Sequence, residues 1–440
     1  MKKLLILCKV VDNFGDIGVV YRLCRAISEQ NDEYKISLVV SCLDSFSKMA
    51  EEIDPSLEHQ VFLGMDVYDW NASDLCKKQF ESDVPEYILE CFQCGRPDWL
   101  EEIIFHPDFN KVVKIINVEY LTAESWADEC HLLKSGTRSA NVKKMNFFPG
   151  FTNKTGGLIL DENFISCRND RFYSVKLAEE SLGKSFMDFF HLDDENHFNI
   201  LLFSYPMDFS FLVKALNGMS LKKKVSVFVA NGAGKESFMK VSSLLEKNIS
   251  LVELPYIPQK VWDALLTLMD FAFIRGEDSF SRSCLIGKSF AWNIYPQDEE
   301  YHFVKLIAFL ERMKPFFSES CFSLIREFFV LYNFDLSRTF GDDALDALTG
   351  FDFPKSREEH LSRMEKLCLG MFNANPDLDS MFFDFSESIL QNGNLAVNLL
   401  DFMKTWQAVK YNSPKKRFPT SVIMELQKHK KQEEGNLWKV

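Results

Sequence analysis

The chain has 440 residues, 46% hydrophobic and 26% charged, with Phe 42 against only Gly 19 and Pro 14. That balance suits a soluble globular protein long enough for two cores, and it excludes a linker array or a low-complexity chain. Lys+Arg 50 against Asp+Glu 64 leaves a net charge of −14, which disfavours binding to nucleic acid or to an anionic membrane surface.

The opening Met1–Cys8 imitates a signal peptide, but it runs into Asp12, Asn13 and Asp16 with no small-residue cleavage site. It reads instead as a buried first strand, and the expected compartment is the cytoplasm. No apolar run approaches the roughly 18–20 residues of a membrane span. Further short, β-branched-rich runs follow at Ile36–Val40, Gln60–Leu63, Tyr87–Phe92, Val112–Val118 and Met145–Phe148. They are continuous rather than alternating, which suits parallel strands covered on both faces. Between the first two, Asp16–Ser28 places Val19, Leu23, Cys24 and Ile27 on one stripe of a helix. Pro149–Gly157 reads as a loop, and Arg168–Arg171 extends a polar break near residues 150–180. The strand rhythm then restarts at Phe198–Phe203, Val225–Ala230, Leu251–Leu254, Phe271–Ile274 and Phe290–Ile294.

Two such runs predict an α/β protein of two facing Rossmann-like domains, with a ligand cleft between the carboxyl ends of the two sheets. The expected boundaries are 1–165, 180–385 and a C-terminal helical segment and tail over 386–440. Helical patterns appear at Ile307–Met313, Ser323–Leu331 and Ala396–Phe402, while 331–385 shows no legible period. Residues 404–440 hold nine Lys or Arg against three Glu, +6 locally on a chain otherwise −20. A terminal helix packed on the chain's own acidic surface through Trp406, Ile423, Leu426 and Trp438 is favoured there over a docking arm.

The cysteines number 11, an odd count with no secreted-domain spacing, so no disulfide framework is expected. Cys91–Cys94 is a lone C-x-x-C without a second ligand pair, and the histidines form no ligand pattern. Nothing in the sequence asks for a metal.

Three constellations carry chemistry. The turn Val10–Val19 contains Asp12, Asn13, Phe14, Gly15, Asp16 and Gly18 directly after the first strand. Its glycines would permit close backbone approach, yet two carboxylates stand where a pyrophosphate would sit, favouring a cationic or proton-donating substrate. Asp12 as a helix cap and Asp16 as a first-turn residue is the bland alternative. At the end of a second-half strand, Arg275, Gly276, Glu277, Asp278 and Ser279 combine a phosphate fork with a helix start. Leu254–Gln259 is a Pro-stiffened loop in which Tyr256 and Gln259 could stack on and hydrogen-bond a planar base; an ordinary connection fits its spacing equally well. A fourth segment, Asn231–Ser237, resembles a P-loop but has Val229 and Glu236 at defining positions, and reads as a turn.

Together these words resemble the protein-arginine rhamnosyltransferases of elongation factor P, the EarP family. The resemblance covers most of residues 1–310: CKVVDNFGDIGVVYRL at the start, INVEYLTAESW (116–126), FFPGFTNKTGGL (147–158), FIRGEDSFSRS (273–283) and IYPQDEEYHFVKLIAFL (294–310). It implies a GT-B glycosyltransferase that uses dTDP-β-L-rhamnose, without a metal or other cofactor. Such an enzyme rhamnosylates one arginine of elongation factor P with inversion, activating it for rescue of polyproline-stalled ribosomes. Asp16 then matches the general base and Asp12 a second carboxylate holding the acceptor guanidinium, within an element that includes Asn13, Phe14 and Gly15. Glu277 matches a further catalytic carboxylate, and Arg275, beside Gly276, would face the diphosphate. Asp278 and Ser279 would meet ribose or phosphate, Tyr205 the nucleotide sugar, and Tyr256 with Gln259 the thymine. The sequence departs from the family pattern after residue 310, where it is longer, and in its basic tail. A GT-B transferase with another donor or acceptor, or a non-catalytic protein that binds a translation factor, are the competing readings.

Overall fold

Lys2–Cys8 forms the strand β1, whose alternation sends Leu4, Ile6 and Cys8 into one buried cluster and Leu5 and Leu7 into another. A strand with apolar side chains on both faces needs cover on both, and the first unit is built around that need. The computed structural model describes residues 2–11, 15–31, 33–192 and 194–408. The described residues divide into two units, one of residues up to Glu162 together with 389–408, the other of Asn163–Ser388.

The first unit continues with the helix α1 (Gly15–Glu29), then β2 (Tyr34–Val40), β3 (His59–Phe62), β4 (Met65–Asp69), β5 (Tyr87–Cys91), β6 (Val113–Val118), β7 (Lys134–Ser135) and β8 (Val142–Phe147). They form one sheet in the order β3-β4-β2-β1-β5-β6-β8-β7. Its pairs are parallel except the two edges, β3 on β4 and β7 on β8. α1 covers one face through Ile17, Val20, Leu23, Cys24 and Ile27. The helix Asp98–Ile104, which follows β5, covers the other through Trp99, Leu100, Ile103 and Ile104. The connections after β1 and β5 therefore leave on opposite faces, and a crevice opens between the carboxyl ends of these neighbouring strands.

The second unit opens with the helices α2 (Glu162–Asn169) and α3 (Arg171–Leu182), followed by β9 (His197–Leu202), β10 (Lys224–Val229) and β11 (Ile249–Glu253). Then come α4 (Gln259–Leu268), β12 (Phe271–Arg275), α5 (Glu277–Ile286), β13 (Phe290–Asn293) and α6 (His302–Met313). Its five strands are all parallel in the order β11-β10-β9-β12-β13. The chain moves outward from β9 to β11 and then returns to β12, so the order reverses between β9 and β12.

Every strand read from the apolar runs is present. β4 and the two-residue β7 are not among the expected strands: β4, Met-Asp-Val-Tyr-Asp, is the hairpin partner of β3, turned by Leu63 and Gly64 at φ 50° and 78°, and β7 pairs with β8 at the other edge. The stretch taken as a polar break contains α2 and α3, because Asp170 caps α3 by accepting the N–H groups of Phe172 and Tyr173. The illegible 331–385 holds helices at Asp342–Ala347, Arg357–Asn373 and Asn375–Leu390. Its phenylalanines pack on one another, with the Phe334 and Phe340 rings 4.9 and 5.3 Å from Phe353.

The C-terminal segment set apart at 386–440 begins inside the helix Asn375–Leu390. A final helix, Leu395–Ala408, lies in the first unit, where Leu395, Ala396, Leu399, Leu400, Met403 and Trp406 join the cluster that α1 covers. Tyr87 Oη donates to the Met403 carbonyl at 2.6 Å and faces the Trp406 ring edge-on. Trp406 thus packs on an apolar core rather than an acidic surface; Ile423, Leu426, Trp438 and most of the basic tail lie outside the described residues. No helix among the described residues is long and apolar enough to cross a membrane.

Arg22 and Arg25 of α1 turn toward Asp161, whose Oδ2 accepts from them at 3.1 and 3.4 Å. Both partners of the closer pair are buried, at 0% and 1% exposure. Removing one member of such a group costs far more than the pair contributes, because the remaining charges stay in a low dielectric. Asp161→Ala is therefore expected to lower unfolding free energy by about 3–5 kcal/mol, measured as the urea midpoint at pH 7.

Candidate active site

In the first unit, chemistry collects where β1, β5 and β6 end. Asp16, the second residue of α1, is only 3% exposed. Its Oδ2 accepts the N–H of Val11 at 2.7 Å and its Oδ1 accepts the Tyr120 hydroxyl at 3.1 Å. Tyr120 stands two residues beyond β6, and its ring lies flat on Phe92, 4.3 Å away at 14°. Phe92 and Gln93 turn the chain after β5 at φ 58° and 52°, a left-handed pair rare for residues with side chains. Partners from β6 hold that corner. Phe92 donates to the Val118 carbonyl at 2.7 Å and Gln93 N–H to Asn117 Oδ1 at 3.2 Å. The Gln93 amide spans both oxygens of buried Glu119 at 3.0 Å, and Asn117 donates to the same carboxylate. Gly15 opens α1; Asp12, Asn13 and Phe14 lie outside the described residues.

In the second unit, β9 runs into Phe203–Tyr205 and β12 ends in Arg275, side by side at the reversal of strand order. The Arg275 guanidinium lies 4.8 Å from the Phe203 ring centre and 4.7 Å from that of Tyr205. Its buried Nε meets no hydrogen-bond acceptor among the described residues. Gly276, at φ 72° and ψ 160°, takes a conformation essentially reserved for glycine and so lets α5 begin at once with Glu277 and Asp278. Gln259, at the start of α4, donates to Asp278 Oδ2 at 3.4 Å. Glu277 and Asp278 are partly exposed and Ser279 is buried, whereas Tyr256 is 70% exposed. The Tyr205 loop is held from β13: Asn293 Oδ1 accepts both the Ser204 hydroxyl and the Tyr205 N–H at 2.9 Å. Asn231–Ser237, expected to be a turn, is one only over Asn231–Gly234, since a short helix begins at Lys235; the turn abuts this loop. A Cβ at Gly234 would sit 2.5 Å from the Ser204 oxygen, so only glycine allows the approach.

The structure thus gathers Tyr205, Arg275, Gly276, Glu277, Asp278 and Gln259 on one unit and sets Asp16 on the other. Sequence reading missed Tyr120, Phe92 and Asn293. Tyr120 lies in the segment INVEYLTAESW, where nothing local marks its role, and Asn293 shows in the sequence only as an amide at a strand end.

The family model described as Elongation-Factor P (EF-P) rhamnosyltransferase EarP matches residues 4–404. The protein-arginine rhamnosyltransferase of Shewanella oneidensis is 33% identical over 327 residues, which cover 69% of this chain and 79% of that one. That of Neisseria meningitidis serogroup B is 30% identical over 371 residues, 81% and 88% of the two chains. A solved structure addressing EarP-mediated arginine glycosylation of translation elongation factor EF-P aligns over 92% of this chain and 99% of its own, with a TM-score of 0.53 at 18% identity. At that identity the likeness speaks for the fold, and the fold is the expected GT-B class.

The loop after β13 carries a pH-dependent element. Tyr295 faces the Tyr205 ring edge-on at 5.8 Å, and Glu299 and Glu300 follow at φ 53° and 59°. Beneath them His302 is buried, and its Nδ1 accepts the Gln297 N–H at 3.4 Å. Burial pushes the His302 pKa down to about 4. A depressed histidine contributes stability that is complete above its unfolded pKa of about 6.5 and is lost as pH falls toward 4, because the unfolded chain takes up the proton first. His302→Asn should therefore flatten the fall in melting temperature between pH 7 and pH 5, measured by circular dichroism against the parent. An unchanged slope would place the effect in other histidines.

Proposed function

The chain belongs to the elongation factor P rhamnosyltransferase family, and on that premise we propose that it transfers L-rhamnose from dTDP-β-L-rhamnose to an arginine of translation elongation factor P, with inversion, in the cytoplasm. The observation that carries this reading is the division of chemistry between the two points where strand order reverses. One holds a buried, doubly tethered carboxylate. The other holds an arginine whose buried Nε meets no acceptor among the described residues, beside aromatic rings and a helix start.

An arginine guanidinium keeps its proton to pKa above 12 and is a poor nucleophile until that proton is drawn away. Asp16 is assigned as the base. It orients one guanidinium nitrogen toward the anomeric carbon and takes its proton as the N–C bond forms. The bond from that carbon to the β-phosphate oxygen breaks on the opposite side, and dTDP departs with the electron pair. Arg275 and the N-terminus of α5 meet the growing diphosphate charge, in the place a metal would otherwise take. Glu277, at that helix start, is assigned to the sugar and its reacting centre, and Asp278 and Ser279 to ribose or phosphate. Tyr205 contacts the nucleotide sugar, while Tyr256 and Gln259 recognise the thymine. Asp12, Asn13, Phe14 and Gly15 complete the acceptor side in this reading. Neither nucleic acid nor membrane is a partner.

The direct test is incubation with dTDP-rhamnose and elongation factor P, followed by a search for a deoxyhexose mass gain on an arginine peptide. No gain on any arginine would defeat the assignment. Asp16→Asn should slow single-turnover transfer by about 10²–10⁴-fold, the usual share of general-base catalysis, with donor affinity near the parent's. Gln259→Ala or Tyr256→Ala should instead weaken dTDP binding by about 1–3 kcal/mol, for a lost hydrogen bond or stack. Calorimetry with unchanged affinity in both would remove the thymine assignment.

A further inference from the structure

We propose that Tyr120 is a positioning residue that locks the Asp16 carboxylate in the orientation needed to accept the guanidinium proton, an inference that rests on the assignment of Asp16 as base. A carboxylate at the end of one methylene turns easily about its last bond, since that torsion is broad and two-fold. One tether leaves this rotation largely open. The Val11 N–H, supplied by the loop that leads into α1, fixes Oδ2 at 2.7 Å. Tyr120, 104 positions away in sequence, fixes Oδ1 at 3.1 Å. With both oxygens held from different elements, the plane of the carboxylate is set.

The hydroxyl is a useful tether only if it is itself fixed. The Tyr120 ring lies on Phe92 at 4.3 Å and 14°, and Phe92 is pinned in its left-handed corner by its N–H to the Val118 carbonyl at 2.7 Å. Glu119, the residue before Tyr120, is bound by Gln93 from that same corner. Orientation is thus passed from the ends of β5 and β6 to the phenol and from there to Asp16. Proton acceptance concerted with N–C bond formation depends steeply on alignment, and a misplacement of about 1 Å can cost roughly 10²-fold.

Tyr120→Phe separates this role from packing, because it keeps the stacked ring and removes only the hydroxyl. The expected result is a kcat lowered about 10- to 100-fold, with the dTDP-rhamnose dissociation constant and the melting temperature close to the parent's. The decisive readout is the same substitution made in Asp16→Asn. If Tyr120 acts through Asp16, it should cause no further loss in single-turnover rhamnosylation of elongation factor P. A Tyr120→Phe enzyme with parental kcat would overturn the proposal. So would an equal further loss in the Asp16→Asn background, which would mean that the hydroxyl acts on substrate or fold directly. Parental transfer by Asp16→Asn alone is a different failure: it would remove the base assignment itself and this inference with it.

Discussion

A strand buried on both faces can show a polar side chain to a ligand only where it ends. β1 and β9 are such strands, and the candidate site residues of each unit lie beyond their ends and those of their neighbours. In each sheet the chain winds outward from the central strand to one side and then returns to the other. The connections beside the central strand diverge, and the polar residues released at the strand ends meet in the gap. Asp16 follows β1 in this way, and Tyr205 and Arg275 follow β9 and β12.

The same architecture serves two opposite electrostatic tasks because the residues at the strand ends differ. On the first unit the released groups are acceptors: Asp16 and Glu119, both buried and both bound by donors from neighbouring strand ends. On the second they are a guanidinium close to two aromatic rings and the amide end of a helix. An acceptor cation suits the first set, and a diphosphate with a planar base suits the second. The overall charge of −14 says nothing of this division, which is local and set by a few side chains.

The fold was largely legible because continuous β-branched runs have few alternatives to a doubly covered strand. β4 escaped because Asp66 and Asp69 interrupt any apolar run, although Met65 and Val67 join one core cluster and Tyr68 the other. α2 and α3 escaped because their caps and charges imitate a loop. The helices of 342–390 escaped because phenylalanines spaced for mutual packing blur the period of any single helix. Among the candidate site residues, Asp16 and the Arg275–Ser279 group stand out in the sequence because each lies where the chain passes from a strand into the start of the following helix. Tyr120 does not, since its hydrogen bond crosses 104 positions, and nothing local distinguishes a tyrosine that tethers a carboxylate from one that fills a core. Asn293 is similar: its bonds to Ser204 and Tyr205 cross 89 and 88 positions.

These two overlooked residues share a position in their sheets. The group that steadies Asp16 comes from the end of β6, reached from β1 across β5. The group that steadies Tyr205 comes from the end of β13, reached from β9 across β12. In both cases the brace starts two strands away, on the far side of the reversal, and crosses the gap that the reversal opens. Adjacent strands stand about 4.8 Å apart, so such a brace spans roughly twice that distance with help from the loop it grips. Tyr120, stacked on Phe92, and Asn293, accepting from two donors, each reach across in this way. In each unit the candidate site residue next to the reversal is thus held by a hydrogen bond from the far side.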